Sequence, residues 1–395
     1  MGALDGLRLI ETGTIIAGPF CGQLMADHGA DVIKIEPPRA RVPGGDPIRT
    51  WGRGKPVWYP VIGRNKKTIT LDLSHPRGAD ILKRLVRRSD FLLENFRPGT
   101  YEKWGLSWDV LREENPGLIF IRVSGFGQTG PYAHRAAFGL IGEAMGGLRA
   151  LTGEPDRPPA RVGLSIGDSL AGTFACLGAL MALHHRHRTG QGQVVDSSIF
   201  ESVLAMLEAT VPEYTEAGLT RERSGSVLPG IAPSNVYPCR DGEVLIGANQ
   251  DSLFRKLAEA MGKPELGSDP RYATHVARGE NQAELDARIG QWTQRLSVEE
   301  VLRRLEPLGV PAGRIYRVGD MLADPHFAAR EAIVPVPHPD FPNLMMQAVA
   351  PRLSETPGGI RWPGPPIGAF NEEIYRGLLG MSAAELAELR QDGVI

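Results

Sequence analysis

Short apolar runs that alternate with helical patterns along the first half of the chain limit its possible folds more than any other feature. Five runs have the length and pattern of strands: residues 7–10, 31–35, 68–73, 91–93 and 118–123. Between the third and fourth runs, residues 76–88 carry an apolar helical stripe that includes Ile81 and Leu85. Strands separated by helices of this length form a parallel sheet that is covered on both faces. The sequence therefore predicts an α/β fold.

The rest of the chain predicts a second, smaller lobe. A chain of 395 residues exceeds what one hydrophobic core usually covers. A stretch rich in Gly, Pro and Ser at 224–235 predicts a linker, and residues 236–329 carry strand and amphipathic-helix patterns of their own. The chain is proline-rich from Pro335 and ends in a predicted helix over 382–389. We therefore predict a large domain over 1–223, a small domain with linkers over 224–330, and a C-terminal segment over 331–395 that returns to the large domain.

The charge balance limits the partners of the chain. Lys plus Arg number 44 and Asp plus Glu number 46, which gives a formal net charge of −2. This balance gives no overall attraction to nucleic acid or to an anionic membrane, so neither partner is expected. The longest weakly polar stretch, 169–183, is too short to span a bilayer.

The three cysteines, Cys21, Cys176 and Cys239, lie far apart in the sequence and form no CxxC pair. Such spacing predicts neither a disulfide framework nor a zinc site. The first residues lead straight into a strand-like run without the pattern of a signal peptide. We therefore expect a cytoplasmic enzyme without a metal site.

A literal GxGxxG runs from Gly125 to Gly130, behind the predicted strand that ends at Val123. In a dinucleotide-binding fold this motif opens the helix whose N-terminus holds the pyrophosphate. Here Pro131 follows at once, and no apolar helical stripe comes after it. We interpret the motif as a glycine turn that faces the ligand crevice of an open sheet. A nicotinamide-dependent oxidoreductase is a less favoured alternative.

Basic residues cluster in the predicted loops of the first half: Arg39, Arg41, Arg64, Lys66, Lys67, Arg97 and Lys103. They predict either a solvated charged face, which composition alone favours, or a rim that binds phosphates. The basic run at 184–188 ends a predicted helix, where positive side chains interact favourably with the free carbonyls. We interpret that run as a helix end rather than as a metal site.

Asp168 is the carboxylate that stands out. It comes directly before a predicted helix over 169–187, which is the position of an N-cap. A carboxylate at a helix N-terminus stays ionised, and an ionised carboxylate can act as a nucleophile. Gly167 and Gly172 on either side would let a carbonyl group approach it closely.

A series of motifs in fixed order resembles the class III CoA-transferases, the CaiB/BaiF family, over nearly the whole chain. The matching motifs are AGP at 17–19, GADVIKIE at 29–36, NKK at 65–67, DL at 72–73, ENFRPG at 94–99, SGFGQTGP at 124–131, GD at 167–168, TGQGQ at 189–193, VPAG at 310–313 and DP at 324–325. The resemblance implies a Rossmann-like large domain built from both ends of the chain and an interlaced homodimer of ring-shaped subunits. It also implies a CoA thioester as substrate and no tightly bound cofactor.

The resemblance assigns the catalytic aspartate of the family to Asp168. It implies that Asp168 attacks an acyl-CoA thioester, carries CoA as an aspartyl thioester, and passes CoA to an acceptor acid. It assigns CoA contacts to Asn65, Lys66, Asn95, Phe96 and Lys103, with Phe96 packing against the adenine. The basic residues Arg39 and Arg97 complete the predicted CoA site. Ser169 and nearby amides are the expected donors to the oxyanions.

The α-methylacyl-CoA racemases of the same family are the second candidate. Their proton-transferring His-Asp pair falls on Phe138 and Gly139, and neither residue has an ionisable side chain. His134 is the nearest substitute and lies four residues too early. The sequence therefore favours CoA transfer.

The acceptor is predicted from departures from the family pattern. Many relatives carry an aspartate where Gly139 stands, and the C-terminal Gly-Glu-His motif reads Gly-Ala-Phe at 368–370. These departures argue against formate, oxalate and carnitine. We expect succinyl-CoA or a similar donor and a small dicarboxylate acceptor such as malate, citramalate, mesaconate or itaconate. Arg135, Arg161, Arg221 and Arg223 are candidates to bind its distal carboxylate. Arg135, Phe138, Gly139 and Ser169 form the predicted substrate site.

Overall fold

A computed structural model describes residues 2–38, 41–42 and 44–395. Backbone contacts divide them into two compact units: the first comprises the residues up to Arg149, Val162–Gly218 and Ala328–Ile395, and the second comprises Ala150–Arg161 and Leu219–Phe327. Residues 150–161, which we assigned to the large domain, thus group with the second unit. The division into domains predicted from the sequence stays a prediction.

The first unit is built on a six-stranded sheet in the order β3-β2-β1-β4-β5-β6. Its strands are β1 (Arg8–Glu11), β2 (Asp31–Glu36), β3 (Lys66–Thr70), β4 (Phe91–Glu94), β5 (Ile119–Ser124) and β6 (Val194–Ser198). All five neighbouring pairs are parallel. This is the strand order of a doubly wound Rossmann fold, with its switch point between β1 and β4. The predicted α/β class is confirmed.

Helices lie between these strands and continue through the second unit. Their bounds are α1 (Ala17–Asp27), α2 (Trp58–Ile62), α3 (Pro76–Val86), α4 (Thr100–Lys103), α5 (Trp108–Glu114), α6 (Gly139–Met145), α7 (Leu148–Leu151), α8 (Ile166–Thr189), α9 (Ile199–Leu204), α10 (Thr210–Ala217), α11 (Asp251–Ala260), α12 (His275–Glu280), α13 (Gln282–Thr293), α14 (Val298–Leu305), α15 (Val318–Ala323), α16 (Pro325–Ala329) and α17 (Ala383–Gln391). Short 3₁₀ segments occupy Pro47–Thr50, Pro264–Gly267 and Glu306–Leu308, and a π-helical turn occupies Glu373–Leu378. Ser382 and Glu385 cap α17 reciprocally.

The central strands are buried on both faces, as a parallel sheet requires. Ile10 of β1 and Leu92 of β4 face a core formed with α3 and α17. Their neighbours Leu9 and Phe91 face the opposite core, which α1 and α8 cover. Side chains alternate between the two cores because successive residues of a strand point to opposite faces.

The second unit has a core of its own around an antiparallel sheet of three strands. They are β7 (Ser234–Cys239), β8 (Gly242–Gly247) and β9 (Ala312–Arg314). Apolar residues of α11, α13 and α14 fill this core. The predicted strand and helices of this region are therefore present. A small two-stranded sheet, β10 (Ile333–Pro335) with β11 (Met345–Gln347), belongs to the first unit.

Helix α8 is longer than the sequence pattern suggested. Its 24 residues are long and apolar enough to cross a membrane by length and composition alone. The prediction that the weakly polar stretch at 169–183 is too short to span a bilayer is therefore wrong for the helix that contains it. One side of the helix is a run of small residues, including Ala171, Gly172 and Ala175, that packs against α1. The basic residues 186–188 lie in its last turn, as predicted.

Charged side chains of β1, β2 and β3 meet in the interior of the first unit. Glu11 is fully buried and forms ion pairs with Lys34 (3.2 Å) and Lys66 (2.8 Å). Lys34 also contacts Asp46 at 2.9 Å and donates a hydrogen bond to the Gly13 carbonyl. Burial alone would lower the pKa of Lys34, but attraction by Asp46, Glu11 and Glu36 outweighs burial and raises it. The lysine therefore stays charged inside the protein.

We expect that Lys34→Met destabilises the fold strongly, because it leaves the buried Glu11 and Asp46 without one of their positive partners. Removing one partner of a buried ion pair costs about 3–5 kcal/mol of unfolding free energy. Denaturant unfolding measures this loss. Lys67→Met is the matched control, because Lys67 is partly exposed and pairs with Asp31 and Glu373 nearer the surface. A loss of the same size in both variants would contradict the structural importance of the buried cluster.

Candidate active site

Asp168 lies inside the first turn of α8 rather than before it. The helix begins at Ile166 and Ser165 is its N-cap residue, so the interpretation of Asp168 as the N-cap is wrong. Its side chain is half-buried at the positive end of the helix dipole. That position favours the ionised carboxylate, which is the form that a nucleophile requires.

The carboxylate of Asp168 rests on the backbone of Gly139, the first residue of α6. A Cβ atom at Gly139 would lie 2.4 Å from Oδ2 and 2.7 Å from Cγ of Asp168. A residue with a side chain at position 139 would therefore displace the carboxylate. Phe138, directly before it, is 68% exposed. The structure thus brings together two of the predicted site residues, Asp168 and Gly139.

The two glycines that flank Asp168 contact protein rather than open space. A Cβ at Gly172 would lie 2.6 Å from the Ala17 carbonyl of α1, and one at Gly167 would lie 3.0 Å from the side chains of Glu143 and Ile199. Their small size lets α1 and α6 pack against α8. The expectation that these glycines leave room for a substrate carbonyl is wrong for this reason.

Ser169 is half-buried in the same turn, but its backbone amide is already engaged. It donates to the Ser165 carbonyl at 3.0 Å, as the first regular hydrogen bond of the helix. Its carbonyl accepts a hydrogen bond from Thr173 Oγ1. The predicted use of the Ser169 amide as an oxyanion donor therefore conflicts with the helical geometry.

A cavity of about 200 Å³ lies at the carboxyl ends of β1 to β4, where open α/β sheets bind ligands. The rings of Phe96 and Trp104 stand at its wall, edge to face, with centroids 5.2 Å apart. Arg41 also lines it and pairs with Asp72 and Ser74. The cavity thus offers an aromatic surface, which suits a base, while its guanidinium group is paired with Asp72, another residue of the wall. A larger cavity of about 670 Å³ in the C-terminal segment includes none of the predicted site residues.

Asn95 shapes this region without pointing its amide into the cavity. Its Oδ1 accepts from the Thr14 amide and its Nδ2 donates to the Thr14 carbonyl, both at 2.8 Å. The side chain therefore fixes the loop behind β1. Arg97 and Lys103 follow Asn95 in the sequence, and both are exposed. Their contacts with CoA stay predictions. Arg39 lies outside the described residues.

Asn65 and Lys66 are interior residues. The Lys66 ammonium is fully buried between Glu11 and the Pro19 carbonyl, and burial lowers its pKa. The Asn65 amide donates to Asp27 and to the Gly359 carbonyl, and accepts from the Arg361 amide. Both groups are engaged by protein partners in the interior, which conflicts with their predicted contact with CoA. The basic cluster in the sequence did not distinguish an interior lysine from a surface one.

Glu94 is a buried carboxylate that sequence analysis missed. Its Oε1 accepts from Arg122 Nε at 2.8 Å, and its Oε2 accepts from the Phe96 amide at 2.6 Å. Burial raises its pKa to about 7, although Arg122 opposes the shift. Glu94 therefore holds the Phe96 backbone at the cavity wall. Its signals in the sequence were its position at the end of a strand and at the start of the ENFRPG motif.

The loop of the GxGxxG motif does not open a helix. Every residue from Ser124 to Gly139 is described, and none between them is helical. Arg135 is exposed in this loop and stacks on Tyr132, with its guanidinium carbon 3.7 Å from the ring centroid. The loop ends at Gly139, whose backbone contacts the Asp168 carboxylate, and Arg135 lies four residues before it. Arg161, Arg221 and Arg223 belong to the second unit.

Open parallel α/β sheets bind their ligands in the crevice at the carboxyl ends of the strands, which is where the aromatic cavity lies. Residues 4–371 match the family model described as CoA-transferase family III. The chain therefore belongs to this family and is a CoA-transferase, as the motif series predicted. The nicotinamide alternative is not supported.

Named relatives cover almost the whole chain. Succinyl-CoA–D-citramalate CoA-transferase of Chloroflexus aurantiacus is 58% identical over 99% of this chain and 98% of its own length. The β subunit of succinyl-CoA–L-malate CoA-transferase of the same organism is 41% identical, with 99% and 98% covered. A CaiB/BaiF family protein from Brucella suis has a similar structure, with a TM-score of 0.83 and 34% identity over 95% of this chain and 99% of that one.

We predict that Gly139→Ala lowers kcat about tenfold or more, because the new methyl group displaces the Asp168 carboxylate from its present position. The displaced atoms are the end of a flexible side chain, so the melting temperature should change little. Steady-state kinetics and thermal unfolding measure both effects. Gly319→Ala is the control, because a Cβ there meets nothing within 4 Å. Unchanged kcat in Gly139→Ala would contradict the importance of this contact.

The raised pKa of Glu94 predicts a pH-dependent stability. The folded state holds the Glu94 proton more tightly than the unfolded state, whose pKa is near 4.5. This contribution to stability is therefore complete below pH 4.5 and is lost as the pH rises through 7. As the pH rises from about 5 to about 8.5, the free energy of unfolding of Glu94→Gln should increase by about 2 kcal/mol relative to that of the wild type.

Denaturant unfolding at several pH values measures this difference. Glu102→Gln is the control, because Glu102 also pairs with Arg122 but has a lowered pKa, so its charge is constant over this range. A pH-independent difference between Glu94→Gln and the wild type would contradict the assignment.

Proposed function

We propose that this protein transfers CoA from succinyl-CoA, or a similar acyl-CoA, to a small dicarboxylic acid through an aspartyl-CoA thioester on Asp168. The observation that carries the proposal is the position of Asp168, whose carboxylate lies on Gly139 in the first turn of α8. The names of the relatives support the substrate class, because citramalate, malate, mesaconate and glutarate are all dicarboxylates.

The transfer has four balanced steps. A carboxylate oxygen of Asp168 attacks the thioester carbonyl and expels CoA thiolate, which leaves a mixed anhydride. The thiolate attacks the aspartyl carbonyl, forms the aspartyl-CoA thioester and releases the donor acid with one oxygen of Asp168. The acceptor carboxylate then attacks this thioester, and the thiolate attacks the acceptor carbonyl of the second anhydride. Covalent catalysis thus replaces one difficult exchange by several easier ones.

The cavity at the carboxyl edge of the sheet is the proposed site of the nucleotide end of CoA. Phe96 and Trp104 offer ring surfaces to the adenine, and Arg41 would exchange its pairing with Asp72 for a phosphate. This assignment replaces Asn65 and Lys66, which are buried elsewhere. Arg97 and Lys103 remain in it as exposed cations on the segment that follows Phe96.

We also propose a homodimer in the cytoplasm, with the interlaced arrangement that the family resemblance implies. Large apolar side chains on the first unit are exposed in the single chain, among them Phe138, Leu140, Met145, Met181 and Tyr214. A monomer rarely exposes large apolar side chains together, as α6 and the residue before it do at Phe138, Leu140 and Met145, so a protein partner is the natural cover. Size-exclusion chromatography with light scattering tests the dimer.

Intact-protein mass spectrometry after incubation with succinyl-CoA tests the nucleophile. We expect an adduct of the mass of CoA on the wild type that hydroxylamine removes, and no adduct on Asp168→Ala. Asp109→Ala is the control, because Asp109 is an exposed aspartate in the first turn of α5. An undiminished adduct on Asp168→Ala, or none on an active wild type, would contradict the proposal.

Arg135 is the proposed partner of the distal carboxylate of the acceptor. Its guanidinium has no ion pair within the part of the chain that the structure describes, and its loop leads directly to Gly139. Hydrogen bonds to charged groups contribute about 1.5–3 kcal/mol, so Arg135→Met should raise KM for a dicarboxylate about 10- to 100-fold. The formation of the CoA adduct should be affected less. Arg112→Met, which removes an exposed arginine from α5, is the control.

If KM for the dicarboxylate is unchanged in Arg135→Met, the distal carboxylate binds elsewhere. The arginines of the second unit are then the next candidates.

A further inference from the structure

Helix α6 contacts the first turn of α8 at two points that lie one helical turn apart. Gly139 supports the Asp168 carboxylate, as described above. Glu143, four residues later on the same helix, reaches Gly167, the residue directly before Asp168. A single short helix thus contacts both the reactive carboxylate and the backbone that carries it.

Glu143 is a fully buried carboxylate that the transfer chemistry does not use. Its Oε1 lies 3.5 Å from the Gly167 amide, and its Oε2 accepts from Arg149 Nε at 3.2 Å. The Arg149 side chain is 25% exposed, so the pair is shielded on the glutamate side. Burial of a carboxylate is costly unless it is paired, and the pairing here fixes the direction of the side chain.

Packing around Gly167 restricts the same backbone. A Cβ on Gly167 would lie 3.0 Å from Glu143 Cγ, 3.0 Å from Ile199 Cγ2 and 3.2 Å from the Gly139 carbonyl. The peptide before Asp168 is therefore enclosed by α6 on one side and by α9 on the other. The charge of Glu143 lies at the amide end of α8, where the helix dipole attracts it.

We propose that Glu143 is a positioning residue that acts through Gly167 to hold Asp168 in its attacking geometry, with Arg149 as its anchor. This inference rests on the proposed role of Asp168 as the nucleophile. A group that must attack two different carbonyl carbons and be attacked in turn needs a fixed backbone, because small displacements of reacting atoms lower rates steeply. Glu143 contacts neither substrate nor the Asp168 carboxylate in this account.

Glu143→Gln tests the inference, because it keeps the shape of the side chain and removes its charge and its pairing with Arg149. We expect the rate constant for formation of the aspartyl-CoA adduct, and kcat, to fall about 10- to 100-fold. KM for the acyl-CoA should stay within about twofold, since the CoA cavity is built from other elements. Rapid-quench mass spectrometry gives the rate constant and the amplitude of adduct formation separately.

Two further variants serve as a control and as a second test. Glu201→Gln is the matched control: Glu201 is another glutamate at a helix N-terminus in the first unit, paired with Ser198 at the start of α9. It should leave the rate constant unchanged. Arg149→Met removes the anchor but keeps the glutamate, so it should lower the rate constant several-fold. It replaces Glu143→Gln as the test if that variant does not fold.

The outcomes separate the two proposals. A wild-type rate constant in folded Glu143→Gln, or a reduced amplitude with an unchanged rate constant, overturns the positioning role, because the residue then affects only the amount of folded protein. If Glu143→Gln does not fold, an unchanged rate constant in Arg149→Met overturns it. Absence of the adduct on active wild-type enzyme overturns the proposed function, and this inference with it.

Discussion

The ion pairs of Glu11 with Lys34 and Lys66 support the arrangement on which the site depends. Removing three charges from water is costly, so they remain buried only while their geometry is satisfied. The two ammonium groups also bind backbone carbonyls, that of Gly13 behind β1 and that of Pro19 in the first turn of α1. The charges thus join the sheet to the loop and the helix that follow β1.

This connection continues to Asp168. Helix α1 packs against α8 where Gly172 meets the Ala17 carbonyl, and α6 packs against the first turn of α8 at Gly139 and Glu143. Asp168 therefore lies on a helix that is held from two sides by close backbone contacts. The proposed nucleophile benefits from such fixed surroundings, because small displacements of reacting atoms lower rates steeply. The aromatic cavity is positioned separately, through Glu94 and Asn95 at the end of β4.

The sequence was sufficient for the local pattern and for the family, and insufficient for contacts between distant residues. Five strands, α8 and the family could be predicted from apolar periodicity and from ordered motifs. The edge strand β6 was missed because three of the five residues of Val194–Ser198 are polar, which leaves no apolar run. Asn65 and Lys66 were misplaced because a basic run in the sequence does not show which side chain meets Glu11 or Asp27 inside the fold. Glu143 carried no signal, since only tertiary packing brings it to Gly167.

The central claim is that CoA passes through the carboxylate of Asp168, and the path of oxygen atoms tests it most directly. An acceptor dicarboxylate labelled with the heavy isotope of oxygen would be turned over with succinyl-CoA, and the peptide that contains Asp168 would be analysed by mass spectrometry. We predict that one labelled oxygen enters Asp168 in each turnover, so that the peptide gains at least one, because the second anhydride is cleaved on the acceptor side. A peptide that stays unlabelled while acceptor acyl-CoA accumulates would contradict the account.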